Sequence, residues 1–303
     1  MASLNRTAKD AVYGLAVGDA LGVPCEFRLR GEYRIDGMVG HGSHNMPAGT
    51  FSDDTSLTLA TCDSLRMKGR IDVEDMRRRF SLWMDEGAYT ADGIMFDIGN
   101  ATANALVEGS GRTGFRENGN GSLMRIVPLA FVDGVTDAQI EEVSAITHAH
   151  EISRRGCVMY VRLAQDLLSG TPVRQAIAKL DAREPYERLR TIADAPLDDV
   201  SSSGYVVHTF EAALWALANT ESYAECVLAL ANMGGDADTV AAVGGALAGI
   251  VHGYDAIPGE WIDALRGKDV IDAVLSSSRE ELFAKKRGGK RRRSSVVITA
   301  KNF

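Results

Sequence analysis

The sequence predicts an all-α fold, a single compact multi-helix domain, on three observations. Apolar residues recur at helical spacing along most of the 303 residues. No segment shows the alternating β-branched runs of a sheet protein, and no strands with helical crossovers are visible. No Pro- or Ser-rich linker and no fixed-period repeat divides the chain, whose length suits one large domain.

The first helix is expected over Leu4–Leu21, with Leu4, Ala8, Ala11, Val12 and Leu15 on one face. Gly14, Gly18 and Gly22 share a second stripe at four-residue spacing. Because each glycine costs a helix about 1 kcal/mol relative to alanine, the stripe implies a neighbour that must approach closely. Pro24 ends the helix. Residues 28–51 carry no apolar period and read as a surface loop. Helices are then expected over Thr55–Met67, capped by Asp53 or Asp54, and over Asp72–Glu86 and Asn100–Glu108. The loop Gly87–Gly99 separates the last two, and Gly109–Gly121 reads as a long flexible connection. Asp137–His148, Ile152–Ser169, Val173–Leu180 and Phe210–Ala218 follow. The Ser222–Glu225 capping box opens a helix that stops at Gly234-Gly235. Val240–Val251 and Glu260–Val274 complete the set.

Charge and cysteine use narrow the function. Eight of the 33 basic residues follow position 284, leaving 25 against 41 acidic ones, a net −16 for residues 1–284. A body this acidic argues against nucleic acid as a partner, since phosphate binding needs clustered Lys and Arg. The run from Lys285 onward is the exception, and residues 285–303 are expected to be a disordered basic tail. Cys25, Cys62, Cys157 and Cys226 form no C-x-x-C pair and fit reduced thiols in a cytoplasmic protein. The N-terminus lacks the apolar core of a signal peptide. The most apolar run, Val240–Val251, is too short for the roughly 20 residues a membrane span needs.

Two acidic patches stand out. Gly234-Gly235-Asp236-Ala237-Asp238-Thr239 puts two carboxylates and a hydroxyl ahead of a small-residue helix, and Ser52-Asp53-Asp54-Thr55 repeats that chemistry upstream. Either alone reads as a helix cap. Together they suggest a site for hard divalent cations, which take oxygen ligands and relieve repulsion between converging acids. The six histidines have no convincing metal spacing; His41, His44, His148 and His150 read as surface or structural. Asn118-Gly119-Asn120-Gly121-Ser122 could offer amides to phosphate oxygens, although no Walker lysine follows.

These residues carry a resemblance. Gly14 through Gly22 with Glu26, Phe51–Thr55, Asp97-Ile98-Gly99-Asn100, Gly119–Arg125, Gly204–Thr209 and Gly234–Thr239 resemble, in order, the motifs of the ADP-ribosylglycohydrolase family. The flavour is that of its bacterial dinitrogenase reductase-activating branch. The resemblance implies an all-α domain over residues 1–284 with a binuclear Mg²⁺ or Mn²⁺ centre in a cleft. Ser52, Asp53, Asp54, Asp236, Asp238 and Thr239 would be its ligands, with Ser52 standing where the family often has Thr. Gly119, Asn120, Gly121 and Ser122 would hold the pyrophosphate of ADP-ribose, and Tyr205 would line the nucleotide side. The implied reaction is hydrolysis of the C1″ bond between the distal ribose and a protein side chain, commonly arginine. Glu26 and Asp97 are the proton-shuttle candidates, and Asp19 is expected to be structural. A catalytically silent ADP-ribose-binding or interaction protein on the same fold is the alternative.

Overall fold

The computed structural model describes residues 6–276 and 282; the expected tail from Lys285 and the start at Leu4 lie outside them. The described residues form twelve α-helices, in chain order α1 (Ala8–Gly22), α2 (Asp53–Lys68), α3 (Val73–Glu86), α4 (Asn100–Glu108), α5 (Asp137–Ser144), α6 (Glu151–Leu168), α7 (Val173–Ala178), α8 (Val206–Asn219), α9 (Tyr223–Ala231), α10 (Ala237–His252), α11 (Gly259–Ala264) and α12 (Lys268–Leu275). Short 3₁₀ turns join them. Among the described residues, β pairing is limited to isolated bridges, and no helix is long and apolar enough to cross a membrane. The four cysteines are free and buried.

The fold is built around α1 and α10, which lie antiparallel at its centre. Gly14 meets the backbone of Gly245 and Gly249, Gly18 that of Ala241, and Gly22 that of Ala237 and Asp238. A Cβ at Gly18 would lie 2.1 Å from the Ala241 carbonyl oxygen, so no other residue lets the helices approach this closely. The glycine stripe thus has the close neighbour it implies. The expected amphipathic character is corrected: Ala11–Gly22 is buried all round, as befits a central helix rather than a surface one.

This packing brings the C-terminal end of α1 to the N-terminus of α10. Asp19, one turn before that end, accepts the Ser52 amide at 2.9 Å, the Thr55 amide at 3.0 Å and the Thr55 hydroxyl at 2.6 Å. It therefore seats the start of α2 beside the start of α10.

Other boundaries move for local reasons. Ser52, not Asp53 or Asp54, caps α2. α5 stops at Ser144, and residues 145–149 turn so that Arg112 bonds Thr147 and Ala149 across an extended pairing. That contact also ties down the Gly109–Gly121 connection. α9 stops at Ala231, and Gly234 and Gly235 follow with φ of 72° and 65°, a turn that favours glycine. The single helix expected over Glu260–Val274 is two, broken where Gly267 adopts φ 66° and Arg266 bonds Gly49.

Candidate active site

The two acidic helix starts meet. Asp54 Oδ2 accepts bonds from Ser52 Oγ at 3.2 Å and from Thr239 Oγ1 at 3.4 Å, across 185 residues of chain. Asp236 occupies the N-cap position of α10 without a side-chain capping bond, so the helix-cap reading of this patch taken alone is not how the helix starts. Instead Asp236 Oδ2 accepts from the Asn120 side-chain amide at 2.7 Å. That amide also donates to Thr209 Oγ1 at 2.9 Å, so Asn120 ties the Gly-rich loop to the acidic floor.

Ser52, Asp53, Asp54, Asp236, Asp238 and Thr239 are all buried. Two overlapping groups, Asp19/Asp54/Asp238 and Glu26/Asp236/Asp238, each place one carboxylate oxygen per residue within 4.8 Å of the others. Oxygen-only donor sets suit hard divalent cations, and Asp238 is common to both groups. Asp19 belongs to the first group, but its oxygens are engaged by the start of α2. Burial raises its pKa to about 6 against those bonds.

Glu26 lies between two environments. Its carboxylate lies within 4.8 Å of oxygens of Asp236 and Asp238. Its Oε2 bonds His44 Nε2, which sits 3.9 Å from Asp97 Oδ2. His44, read from sequence as surface or structural, thus stands between the two proton-shuttle candidates with its side chain 6% exposed, flanked by the Phe27 and Phe96 rings. Asp97 adopts φ 56°, a conformation uncommon outside glycine.

Above the acids opens a cleft of about 1190 Å³, lined in part by Gly119–Gly121 and Gly204-Tyr205. The two segments pair side by side as one wall: the Asn120 backbone amide donates to Gly204 O and the Val206 amide to Asn118 O, both at 3.0 Å. Asp53 and Asp236 line the floor, Phe27, Phe115 and Arg116 the rim. Tyr205 packs edge-on against His208, their centroids 5.1 Å apart. One expected binding residue falls elsewhere. Ser122 is buried with its hydroxyl turned into the core, accepting from Ser144 Oγ at 2.9 Å and Cys157 Sγ at 3.4 Å. His148, not expected from sequence, lines the cleft beside Gly121. No spacing signal marks it or His44; each arrives by a turn in the chain rather than by helical period.

A sequence model of the ADP-ribosylglycohydrolase family matches residues 1–291. The chain is 34% identical over 298 residues to ADP-ribosylarginine hydrolase Tri1 of Serratia proteamaculans (strain 568), covering 91% of this chain and 78% of that protein. It is 32% identical to the ADP-ribosyl-dinitrogen reductase glycohydrolase of Rhodospirillum rubrum, covering 87% and 91%. A solved structure titled "ADP-ribosylglycohydrolase-related protein complex" superposes with a TM-score of 0.75 at 31% identity, covering 88% of this chain and 94% of that one.

Proposed function

The chain belongs to the ADP-ribosylglycohydrolase family and is a hydrolase of ADP-ribose glycosidic bonds; from that premise we propose that its substrate is a protein carrying ADP-ribosyl-arginine. The observation that carries the reading is the meeting of the α2 and α10 starts beneath a cleft large enough for a dinucleotide-sized ligand. Relatives named for ADP-ribosylarginine and ADP-ribosyl-dinitrogen reductase support it.

The donor set fits divalent cations, because buried carboxylates crowded within 4.8 Å repel unless positive charge joins them. Ser52, Asp53, Asp54, Asp236, Asp238 and Thr239 would hold two ions, Mg²⁺ or Mn²⁺. Bound there, such ions supply Lewis-acid chemistry at the distal ribose. The protein groups do the rest. Gly119 and Gly121 offer backbone to the diphosphate, Asn120 fixes the orientation of Asp236, and Tyr205 borders the nucleotide. Hydrolysis gives water oxygen to C1″ and returns the bonding pair to the guanidine nitrogen, which leaves protonated. Glu26 is the group that takes the water proton and passes it on, because it reaches the acidic floor. Asp97 acts one step behind, through His44. Free thiols suit a cytoplasmic setting for this chemistry.

The test is release of ADP-ribose from an arginine-ADP-ribosylated protein with Mg²⁺ or Mn²⁺, repeated with chelator, with Asp236→Ala and with a serine-linked substrate. Release from the arginine linkage that stops with chelator or with the substitution is expected. Release indifferent to both would sink the metal mechanism, and equal or faster release from serine would sink the arginine assignment.

A further inference from the structure

Arg125 is entirely buried, yet it forms no ion pair among the described residues, and its Nε and Nη1 meet no acceptor there. Its guanidinium lies 4.5 Å from the Phe80 ring centroid. Only Nη2 is engaged, donating to Val143 O at 3.2 Å and to Thr147 Oγ1 at 2.9 Å. A buried charge satisfied this poorly is expensive, and an apolar side chain of similar length would serve stability as well or better. Its position suggests another use, because Thr147 Oγ1 in turn lies 2.9 Å from His148 Nδ1.

We propose that Arg125 is a positioning residue: through the Thr147 hydroxyl it fixes the His148 tautomer that presents Nε2–H to the diphosphate of ADP-ribose. The proposal rests on the ADP-ribose reading above for its ligand, but its geometry does not.

The tautomer follows from donor and acceptor capacity. A guanidinium has no acceptor, so the Thr147 oxygen accepts from Arg125. The one hydroxyl proton of Thr147 is then available to donate, and His148 Nδ1 is the acceptor within reach. If Nδ1 instead carried the proton, the buried hydroxyl would have two donors aimed at it and its own proton without an acceptor among the described residues, a costly arrangement. Burial, reinforced by the nearby Arg125 charge, lowers the His148 pKa to about 3, so the ring is neutral and carries a single proton. With Nδ1 accepting, that proton sits on Nε2. The Cε1–Nε2 edge of the ring faces the Gly-rich wall, where His148 lines the cleft: a methyl group on Gly121 would lie 2.8 Å from Cε1 and 3.4 Å from Nε2. The cleft therefore meets an N–H donor beside the backbone of Gly121. The other tautomer would turn a lone pair toward an anionic oxygen, exchanging attraction for repulsion.

The experiment uses the full chain. Ring ¹⁵N NMR identifies the His148 signals by their loss in His148→Gln and reads which nitrogen is protonated, without ligand. ADP-ribose affinity and Tm are then measured for wild type, Arg125→Met, Thr147→Val and Thr147→Ser. The wild-type ring should carry its proton on Nε2. Arg125→Met and Thr147→Val should shift the population toward Nδ1–H and raise the ADP-ribose Kd about tenfold, while Thr147→Ser, which keeps the hydroxyl, stays within about twofold of wild type. Arg125→Met should do this with Tm unchanged or raised, which separates positioning from a merely structural role. Protonation of Nδ1 in the wild type would overturn the proposal, as would an unchanged Kd in both Arg125→Met and Thr147→Val. Nε2–H in a wild-type chain that binds no ADP-ribose would instead overturn the ligand reading and leave the Arg125–Thr147 relay standing.

Discussion

Helix α2 buries carboxylates at both ends, and it does so in two different ways. Ten residues of helix, about 15 Å, separate Asp53 from Asp63. At the far end, Asp63 and Asp75 share Arg79, whose Nε donates to Asp75 Oδ2 at 2.7 Å and whose Nη1 pairs with Asp63. Arg66 adds a second pair to Asp63, and Tyr89 a hydroxyl at 2.8 Å. Burial would raise the Asp75 pKa, but bonds from Arg78 and Arg79 outweigh it and hold the carboxyl down at about 2. At the near end, the partners named above are hydroxyls and an amide from Ser52, Thr239 and Asn120, and Asp19 shows the opposite shift, upward to about 6. One end carries its countercharge in the sequence. The other, in our reading, takes it from solution, and a site that exchanges its countercharge can do chemistry that a closed ion pair cannot.

Removing one charge from each end separates the two cases most clearly. Asp238→Asn keeps shape and removes charge at the residue both oxygen groups share. Several kcal/mol of Lewis-acid stabilisation are at stake, so kcat/KM should fall on the order of 10³-fold or more. The rise in Tm that Mg²⁺ or Mn²⁺ gives the wild type should vanish with it, while the Tm in chelator holds or rises. Arg79→Ala should behave in reverse. Leaving Asp63 and Asp75 buried without their shared guanidinium costs about 3–5 kcal/mol in urea unfolding, with kcat/KM per folded molecule unchanged. If Asp238→Asn unfolded the chain while Arg79→Ala silenced it at wild-type stability, the two ends would have been assigned backwards. A smaller effect sharpens the near end alone. Asn120→Ala frees Asp236 to rotate and should weaken cation binding about 10- to 100-fold, read by calorimetric titration with Mn²⁺.

The near end was legible in the sequence and the far end was not. Ser52–Thr55 and Gly234–Thr239 each concentrate acids and a hydroxyl at a loop-to-helix junction, and the glycine stripe of α1 announced the close packing that brings them together. Asp63, Asp75 and Arg79 look like ordinary helix-surface charges, because nothing local says that α2 and α3 turn them inward, and Tyr89 lies in the turn beyond α3. The same limit hid His44 and His148. Both sit where irregular backbone delivers a side chain, and helical periodicity carries no information about irregular backbone. Ser122 erred in the other direction: the Gly-rich loop lines the cleft only as far as Gly121, and the 3₁₀ turn Asn120–Ser122 carries the Ser122 hydroxyl toward Ser144 and Cys157. Motif position fixed where the chain passes, and the turn decided where the side chain went.

His148 offers a third case, a buried titrating group set beside a like charge. Its pKa is about 3 in the fold, driven first by burial and then by Arg125, against an ordinary value of 6.5. The unfolded chain therefore binds a proton between these values that the folded chain refuses, and stability rises with pH across that window. The contribution is complete above pH 6.5 and is lost as pH falls, at about 1.4 kcal/mol per pH unit. At pH 5 the deficit from this one ring is about 2 kcal/mol. Asp75 works the same way but only below about pH 4, so it stays silent across this range. His208 and His252 are also shifted downward by burial, while Asp19 and Glu211 are shifted upward and act with the opposite sign, so the raw slope is a sum over several groups. Comparing wild type with His148→Gln isolates one of them. Urea midpoints from pH 8 to 5 should diverge progressively below pH 6.5, the substituted chain losing about 2 kcal/mol less by pH 5. Parallel curves would mean that His148 accepts its proton in the folded state, and a ring able to do that is not held neutral by Arg125 and Thr147.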